Sequence, residues 1–360
     1  MLFYKISATK IKQIILTLPP QLSSMINIGL LGYGYWGPNL VRNFMLQNEA
    51  KVVKVADINA DKLILVQQFY PTINITTKVE ELLYDSAIDA IVIATPVFTH
   101  YKLAKAALEN GKHVLIEKPM ASTQAEAREL HELALSKGLT IMVDHTFLYT
   151  GAVQKMKELI VTNAIGKPLY FDSTRINLGL FQPDINVLWD LAPHDLSILL
   201  HLIHQKPVSV NATGISHTKN QIENIAYLTL NYEKGFIAHF DCSWSSPVKV
   251  RATLIGGDKK MIYYNDLEPT EKIKIYDTGY DHKTDEDKQR VLVDYRTGDI
   301  FIPHLSTREA LSGVAEDFIR SIIDKSQPVS NSELAIDVVK ILEAAQISIR
   351  NKGSETKIVH

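Results

Sequence analysis

Three short segments of the chain carry residue types whose spacing could support chemistry. The first, GYGYWG at 32–37, is a glycine-rich turn of the kind that accepts phosphate groups. The second, IEKP at 116–119, places Lys118 at the end of an apolar run, and the third, WDLAPHD at 189–195, contains His194. Lysine and histidine side chains can move protons near neutral pH when their surroundings favour it. The three segments together predict a phosphate-bearing ligand with a proton transfer beside it.

The glycine turn follows the strand-like run INIGLL and precedes a helix-like run, which is the context that a G-x-G-x-x-G pattern needs. Gly32 would permit the tight turn, Gly34 would let a pyrophosphate approach the backbone, and Gly37 would let helix and strand pack closely. Tyr35 and Trp36 lie in the same turn and are candidates for lining the site. The pattern predicts dinucleotide binding, and the alternative is a glycine-rich connector without a ligand.

Asp57 ends the second strand-like run, 25 residues after Gly32. A carboxylate at this point can accept hydrogen bonds from the ribose hydroxyls of an adenosine and would repel a 2′-phosphate. We therefore expect NAD as the cofactor and NADP to be less favoured. Asp61 and Lys62 follow closely and make this preference less clear-cut.

The lysine and the histidine are candidates for the proton transfer that must accompany loss of a hydride from an alcohol. Lys118 leaves a strand end, where it would face a crevice. Asp190 and His194 are four residues apart and share a face if helical geometry reaches that far back. Because Pro193 suits only a helix start, both would lie near a helix N-terminus. The alternatives are a surface lysine, and a helix cap at Asp190 or Asp195 with an incidental histidine.

Strand-like and helix-like runs alternate from residue 25 to about 147, which predicts βαβ units and a parallel sheet. Beyond residue 150, strand-like runs dominate over 207–264, a polar stretch with short strand fragments covers 265–305, and helices are expected at about 151–162, 192–204, 307–325 and 332–351. The predicted fold class is α/β. We predict an extension at 1–24, a dinucleotide-binding domain at 25–147, and an α+β substrate-binding and oligomerisation domain with a largely antiparallel sheet at 148–352.

Bulk composition restricts the partners. The formal net charge of -2 gives no electrostatic reason to expect a nucleic acid or an anionic membrane as partner. No run reaches the roughly 18 apolar residues that a membrane span needs. The single cysteine excludes an intrachain disulfide, which is typical of a reducing compartment, so we expect a cytoplasmic protein. No metal site is predicted.

Four motifs in order resemble the glucose–fructose oxidoreductase / inositol dehydrogenase (Gfo/Idh/MocA) family. They are GYGYWG at 32–37, ATPVFTH at 94–100, EKP at 117–119 and the D-x-x-x-H-D array at 190–195, and the resemblance covers about 26–350. It implies a Rossmann domain, a doubly wound parallel sheet, followed by a domain with an open-faced sheet. In this family the exposed face of that sheet usually builds homodimers or homotetramers.

The resemblance also assigns roles in proton transfer. Lys118 matches the family's lysine, which is thought to hydrogen-bond the reacting hydroxyl, and Pro119 would follow a cis peptide. His194 matches the general base, with Asp190 orienting the substrate or the histidine.

Cofactor contacts are implied in the same way. Thr95, Pro96 and His100 match the segment that lines the cofactor. Glu117 matches a residue beside the nicotinamide ribose, and Lys118 lies next to it.

The wording of three stretches, GYWGPNLVRNF, HTFLY and WDLAPHDLSIL, is similar to family members that act on nucleotide-linked sugars. Arg175 and Asn177 would lie on a strand near the site, where a guanidinium could pair with a carboxylate or diphosphate, and Tyr149 is a further candidate contact. Arg175 could equally meet surface acids. The expected activity is NAD-dependent interconversion of a secondary hydroxyl and a ketone on a sugar. The alternatives are a cyclitol or free-sugar dehydrogenase and a non-catalytic NAD-binding regulator.

Overall fold

The computed structural model of the chain describes residues 25–179, 181–182, 184–281 and 294–360. The predicted extension at 1–24 lies outside the described residues. The described part contains two sheets, one of six strands and one of nine. Their arrangement confirms the α/β fold class.

The first sheet is parallel throughout and has the strand order β3-β2-β1-β4-β5-β6. Its central strands β1 and β4 are almost entirely apolar because helices cover both faces of the sheet, whereas the edge strand β3 is short and more polar. The strands are β1 (Ile26–Leu31), β2 (Ala50–Ala56), β3 (Asn74–Thr76), β4 (Ala90–Ile93), β5 (His113–Glu117) and β6 (Ile141–Asp144). The helices between them are α1 (Gly37–Met45), α2 (Ala60–Phe69), α3 (Glu80–Leu83), α4 (Val97–Glu109) and α5 (Gln124–Lys137).

This strand order reverses direction between β1 and β4, which is where doubly wound sheets open a crevice for ligands. Gly32 follows β1, Thr95 lies just beyond β4, Lys118 follows β5 and His145 follows β6. Because the carboxyl ends of parallel strands share one edge, these residues meet at that crevice. The Rossmann prediction is confirmed, and it positions every first-sheet residue of the candidate site.

The second sheet is mixed, with the order β14-β13-β12-β11-β7-β10-β9-β8-β15. Only β7 and β10 pair in parallel within it, and the other neighbours are antiparallel. The strands are β7 (Pro168–Leu178), β8 (Ser209–Ile215), β9 (Ile225–Asn231), β10 (Ile237–Ser243), β11 (Ser245–Gly257), β12 (Met261–Asn265), β13 (Ile273–Asp281), β14 (Asp294–Phe301) and β15 (Thr356–Lys357). The largely antiparallel sheet is therefore confirmed.

One prediction in this sheet is wrong. The polar stretch 265–305 was expected to hold only short strand fragments, yet it supplies β13 and β14, which pair over most of their length at one edge of the sheet. Of these two strands, β14 is the edge strand and has one neighbour, so it can be charged and polar without losing its ladder hydrogen bonds, whereas β13 lies between β12 and β14. The polar composition that argued against strands in this stretch therefore fits the edge strand β14.

Four further helices complete the described part, α6 (Gly151–Val161), α7 (Val187–Leu202), α8 (Ala310–Ile323) and α9 (Ser332–Arg350). The last two return to the first sheet, where the rings of Phe318 and Phe44 lie 6.2 Å apart and Ile336 joins the core beneath β4 and β5. The predicted domain boundary between residues 147 and 148 stays a prediction, because buried side chains from both sides of it belong to one hydrophobic cluster. None of the described helices combines the length and apolar character that crossing a membrane requires.

Helix α7 starts earlier than predicted. We expected a helix at about 192–204, whereas α7 is Val187–Leu202, and the side chain of Asn186 caps it by accepting a hydrogen bond from the backbone N–H of Trp189. Pro193 therefore lies inside the helix, and the expectation that it marks the first turn is wrong. Strong capping by asparagine and deep burial of this helix outweigh the cost of an internal proline.

Candidate active site

Two of the three glycines of the turn are required by close packing. A Cβ atom on Gly32, which has a φ of +94°, would lie 2.5 Å from the carbonyl oxygen of Ala94, and one on Gly37 would lie 2.5 Å from the carbonyl oxygen of Gly32. A Cβ on Gly34 would meet only the end of the Lys62 side chain, at 4.0 Å. Gly34 therefore faces open space, where a ligand can approach the backbone.

The N-terminus of α1 is available to an anion. No side chain caps the helix, its first turn contains no acidic residue, and Pro38 occupies the start. Within the described part of the chain, its first N–H groups therefore receive no side-chain cap, and the positive end of its dipole is not balanced by an acid in its own first turn. Tyr35 is 84% exposed and stands edge-on to Trp36, with ring centroids 5.2 Å apart. These residues fit the phosphates of a dinucleotide.

Asp57 is buried at the end of β2, where its carboxylate is held by the backbone. The N–H of Tyr33 donates to Oδ2 at 2.7 Å and the N–H of Asn59 donates to Oδ1 at 2.8 Å. Each carboxylate oxygen can accept a second hydrogen bond, so the group keeps acceptors for ribose hydroxyls. Lys62 Nζ lies 3.8 Å from Oδ2 and is itself half-exposed. The adenosine end therefore presents one fixed negative charge and one movable positive charge.

Lys118 joins the two sheets. Its Nζ donates to the backbone carbonyl of Asp190 at 2.7 Å and lies 3.3 Å from Asp190 Oδ1. The second carboxylate oxygen of Asp190 accepts from Trp244 Nε1 at 3.1 Å. The peptide between Lys118 and Pro119 is cis, as the resemblance implied. A lysine of the Rossmann sheet is thus fixed against α7 of the second sheet.

Pro193 lies inside α7, three residues after Asp190. Because proline has no N–H, the carbonyl of Trp189 receives no hydrogen bond from this position of the helix. The carbonyl that accepts from Lys118 is the next one along the chain, that of Asp190.

His194 lies four residues after Asp190 on the same face of α7, as predicted. Its ring packs edge-on against Phe147, with centroids 5.0 Å apart, and its Nδ1 is buried without a hydrogen-bond partner among the described residues. Burial lowers the pKa of His194 well below its usual range, and the charges of Lys118 and Arg175 lower it further. The ring is therefore neutral at physiological pH and can accept a proton.

His100 stands behind the cofactor-lining segment and does not form part of its surface. The ring is fully buried, with Nδ1 2.9 Å from the carbonyl oxygen of Pro119 and Nε2 2.8 Å from that of Thr95. Burial lowers its pKa, although the two carbonyls act in the opposite direction. Thr95 and Pro96 remain accessible at the start of α4. His100 thus ties this turn to the cis peptide and reaches a ligand only through these neighbours.

The guanidinium of Arg175 forms a buried ion pair. Its Nε and Nη2 donate to the two carboxylate oxygens of Asp195 at 2.7 Å each, and its guanidinium lies 4.7 Å from the centre of the Phe147 ring. Burial disfavours its charge, but the attraction and hydrogen bonds of Asp195 prevail and raise the pKa of Arg175. Only 3% of the Arg175 surface is exposed, so its guanidinium is not accessible to a carboxylate or diphosphate of a ligand. The alternative, in which Arg175 pairs with acids at the protein surface, is also wrong because the pair is buried.

The other two predicted substrate contacts differ in position. The hydroxyl of Tyr149 donates to Asp317 Oδ2 at 2.6 Å and accepts from the N–H of Ser330 at 3.2 Å. Tyr149 thus ties the 3₁₀ turn 146–149, which it ends, to α8. The structure therefore does not bring its hydroxyl to the site. Asn177 is partly buried on β7, on the same face as Arg175.

Several residues of the site were not predicted from the sequence. Asp144 and His145 end and follow β6, beside Lys118, and Trp244 fixes Asp190 from the end of β10. The sequence could have indicated Asp144 and His145, because they lie at the end of strand β6 as Lys118 lies at the end of the neighbouring strand β5. No comparable signal marks Trp244, whose role depends on how the second sheet folds over the first.

Comparison with known proteins agrees with this geometry. The model of an oxidoreductase family with an NAD-binding Rossmann fold (GFO_IDH_MocA) matches residues 26–145, and the model of the GFO/IDH/MocA C-terminal domain matches residues 153–263. The uncharacterized oxidoreductase YdgJ of Escherichia coli is 27% identical over 361 residues, which cover 92% of this chain and 99% of that one.

Two relatives with more specific names match over shorter stretches. UDP-N-acetylglucosamine 3-dehydrogenase of Acidithiobacillus ferrooxidans is 30% identical over 227 residues, 60% of this chain and 66% of that one. The scyllo-inositol 2-dehydrogenase (NADP(+)) IolW of Bacillus subtilis is 27% identical over 223 residues, 58% of this chain and 60% of that one. A solved structure of the Acidithiobacillus enzyme superposes with a TM-score of 0.74 at 24% identity, over 91% of this chain and 99% of that one, which shows the shared fold.

The buried ion pair gives a first prediction. Replacement of Arg175 by methionine should lower the free energy of unfolding by about 3–5 kcal/mol, because Asp195 is left charged and buried, and Arg175→Met/Asp195→Leu should recover most of the loss. The exposed pair Arg42–Glu309 is a matched control, since Arg42→Met should cost at most about 1 kcal/mol. Denaturant unfolding measures all three. An Arg175→Met protein of normal stability would contradict the structural role.

His145 gives a second prediction, for pH dependence. Burial and the charge of Lys118 lower its pKa from 6.5 to about 3, so the folded state keeps it neutral while the unfolded state binds a proton below pH 6.5. Its contribution to stability is therefore complete above pH 6.5 and is lost as the pH falls toward 3, with a slope of up to about 1.4 kcal/mol per pH unit.

The measurement compares the unfolding free energy at several pH values in wild type, in His145→Gln and in His304→Gln, which changes an exposed histidine. His145→Gln should flatten the acid side of the curve, whereas His304→Gln should leave it unchanged. Parallel curves for wild type and His145→Gln would contradict the assignment.

Proposed function

We propose that this chain, which belongs to the GFO/IDH/MocA family of oxidoreductases, interconverts a secondary hydroxyl and a ketone on a nucleotide-linked sugar with NAD as its cofactor. The observation that carries the proposal is the contact of Lys118, from the Rossmann sheet, with Asp190 on the helix that also presents His194. In this proposal an ammonium that follows the parallel sheet and a neutral imidazole on α7 act together at the carboxyl edge of the parallel strands. That edge is where a dinucleotide would bind.

The proposed mechanism divides the proton work between two side chains. Hydride transfer is the chemistry that a nicotinamide bound at this edge would supply. His194, neutral because of burial and of the nearby cations, takes the hydroxyl proton during oxidation and returns it during reduction. Lys118 donates a hydrogen bond to the reacting oxygen, and this stabilises the negative charge that develops there. Asp190, held by Trp244, keeps the lysine in place.

The cofactor would be held by the features of the first sheet. The open backbone at Gly34 and the uncapped start of α1 suit its phosphates, and Asp57 suits the ribose of its adenosine half. Thr95, Pro96 and Glu117 would line the nicotinamide end. The fixed charge of Asp57 favours NAD, since the ribose 2′-phosphate of NADP would meet a carboxylate that two backbone N–H groups hold in position.

Two observations favour a nucleotide-linked sugar. A relative that is 30% identical is named for such a substrate. A cleft of about 780 Å³ also opens beside Trp189, the neighbour of Asp190, and it is lined by Thr123 and Arg350 among others. Ligand pockets for drug-sized molecules have volumes of this order. A cyclitol dehydrogenase is the second candidate, because the Bacillus relative is named for an inositol. A non-catalytic regulator is disfavoured by the presence of both Lys118 and His194.

The proposed assembly is a homodimer or homotetramer of a cytoplasmic protein. The support is the second sheet, whose strands β9, β10 and β11 carry exposed apolar side chains at Tyr227, Ile237 and Leu254. Apolar groups along one sheet face are suited to burial against another copy.

The activity is tested by NADH absorbance with a panel of nucleotide sugars, free sugars and inositols. We expect turnover with a nucleotide sugar, and Lys118→Ala and His194→Ala should each reduce it at least about 100-fold, the usual effect of removing a general acid–base group. Lys105→Ala, on the exposed face of α4, and His304→Ala are matched controls that should retain turnover.

Near wild-type turnover in both site variants would reject the mechanism. Turnover with inositol and with no nucleotide sugar would establish the second candidate. Binding of NAD without any change in its redox state across the panel would identify a regulator.

Cofactor choice gives a separate prediction. Asp57→Asn keeps an acceptor for the N–H of Tyr33 but removes the charge, so Lys62 can then pair with a 2′-phosphate. The ratio of NADP to NAD affinity should rise at least about tenfold, equivalent to about 1.4 kcal/mol. Adding Lys62→Ala should cancel the gain, as measured by titration calorimetry. A wild-type protein that binds NADP more tightly than NAD would overturn the assignment.

A further inference from the structure

Two carboxyl groups lie side by side at the crevice edge of the first sheet, next to Lys118. Glu117 ends β5 and Asp144 ends β6, and the two are paired in register across these parallel strands. Side chains at paired positions of neighbouring strands point to the same face. Glu117 is 9% exposed and Asp144 is 2% exposed, so both carboxyl groups are largely withdrawn from bulk solvent.

The hydrogen bonds around this carboxyl pair are incomplete. Thr146 Oγ1 donates to Asp144 Oδ1 at 2.6 Å. Glu117 Oε1 and Asp144 Oδ2 are buried and have no partner among the described residues. Two ionised carboxylates only accept hydrogen bonds and cannot satisfy each other, whereas a carboxylic acid can donate to a carboxylate. A single proton between them would provide the missing donor.

The charges that face the pair do not balance two negative groups. Lys118 is the adjacent cation, and its Nζ is directed to Asp190. His145, next to Asp144 in the chain, has a pKa lowered to about 3 by burial and by Lys118, so it is neutral. Tyr149, which feels the charge of Asp144, has a pKa raised by burial and by Asp317 and is also neutral. Among the described residues facing the pair, one positive charge therefore stands against two carboxyl groups.

Burial and mutual repulsion both act to keep a proton on the pair. Burial raises the pKa of Glu117 well above its usual range, and the charge of Asp144 adds to the effect. Burial raises the pKa of Asp144 to about 6, against the hydrogen bond from Thr146 and the charge of Lys118. Adjacent buried carboxyl groups cannot both ionise without compensation, and they titrate as a pair.

We propose that Glu117 and Asp144 share one proton at neutral pH and together present a single negative charge to Lys118. The pair is then a positioning element that fixes the charge balance behind the lysine while Asp190 fixes its direction. The inference concerns the protein without substrate. It therefore stands or falls independently of which sugar, if any, is oxidised.

The proposal has an unusual consequence for substitution. Glu117→Gln removes the neighbouring charge and places an amide N–H donor beside Asp144, and Asp144→Asn does the same beside Glu117, so in each variant the remaining carboxyl group is expected to ionise against the effect of burial. Each single variant keeps one negative charge at the pair and loses the shared proton. The double variant loses both the charge and the proton.

Infrared spectroscopy of the full chain during a pH titration tests this, because a protonated carboxyl group has a carbonyl band distinct from that of a carboxylate. We expect wild type to show a protonated-carboxyl band at pH 7 that is lost in each single variant. A wild type without the band would mean that both groups are ionised. A band retained in either single variant would mean that one group holds its proton unaided. Either result overturns the proposal.

Thr146→Val provides a second measurement that does not alter the carboxyl groups, in case a single variant fails to fold. Removing the hydroxyl takes a donor from the ionised form of Asp144, so the wild-type band should persist to higher pH. A band whose midpoint does not move in Thr146→Val arises elsewhere in the protein and would also overturn the proposal.

Discussion

The site depends on one ammonium group held between two sheets. Lys118 leaves the end of β5 and donates to α7 of the second sheet, so its position is fixed only when both sheets are folded and packed together. The acceptor is a backbone carbonyl beside an internal proline, and the accompanying carboxylate is fixed from behind by Trp244. A lysine with 13% of its side chain exposed needs such partners, because a buried charge without them would be unstable. The proposed catalytic arrangement therefore depends on the packing of the two sheets.

The charges around this lysine are arranged so that the histidines stay neutral. Burial is the main cause that lowers the pKa of His194, and the charges of Lys118 and of Arg175, which is itself paired with Asp195, lower it further. A histidine of low pKa is unprotonated at neutral pH, but it is a weak base. In the proposed reaction the hydroxyl that His194 would deprotonate has to be made more acidic by another group, and a hydrogen bond from Lys118 to the reacting oxygen would supply this. The weak base and the cation are complementary parts of one proposed step.

Local pattern was sufficient for much of the fold and for part of the site. The alternating runs predicted the parallel sheet, and the glycine spacing predicted the turn in which Gly32 and Gly37 leave no room for a Cβ. The spacing of Asp190 and His194 predicted their shared face even though the helix start was misplaced. What local pattern could not supply were contacts between distant segments. Asp195 was considered as a helix cap and instead pairs with Arg175, twenty residues earlier, because the fold buries both. Similarly, Asp144 became part of the site only through its register with Glu117.

The three tryptophans of the chain lie at three different places around the candidate site and could serve as fluorescent reporters. Trp36 stands on the glycine turn, Trp189 borders the cleft beside α7, and Trp244 donates to the carboxylate that holds Lys118. Each indole thus has different surroundings: the glycine turn, the cleft beside α7 and the contact of Lys118 with Asp190. The molecule consequently contains three native fluorophores whose emission would report, without any label, on ligand binding at each of these places.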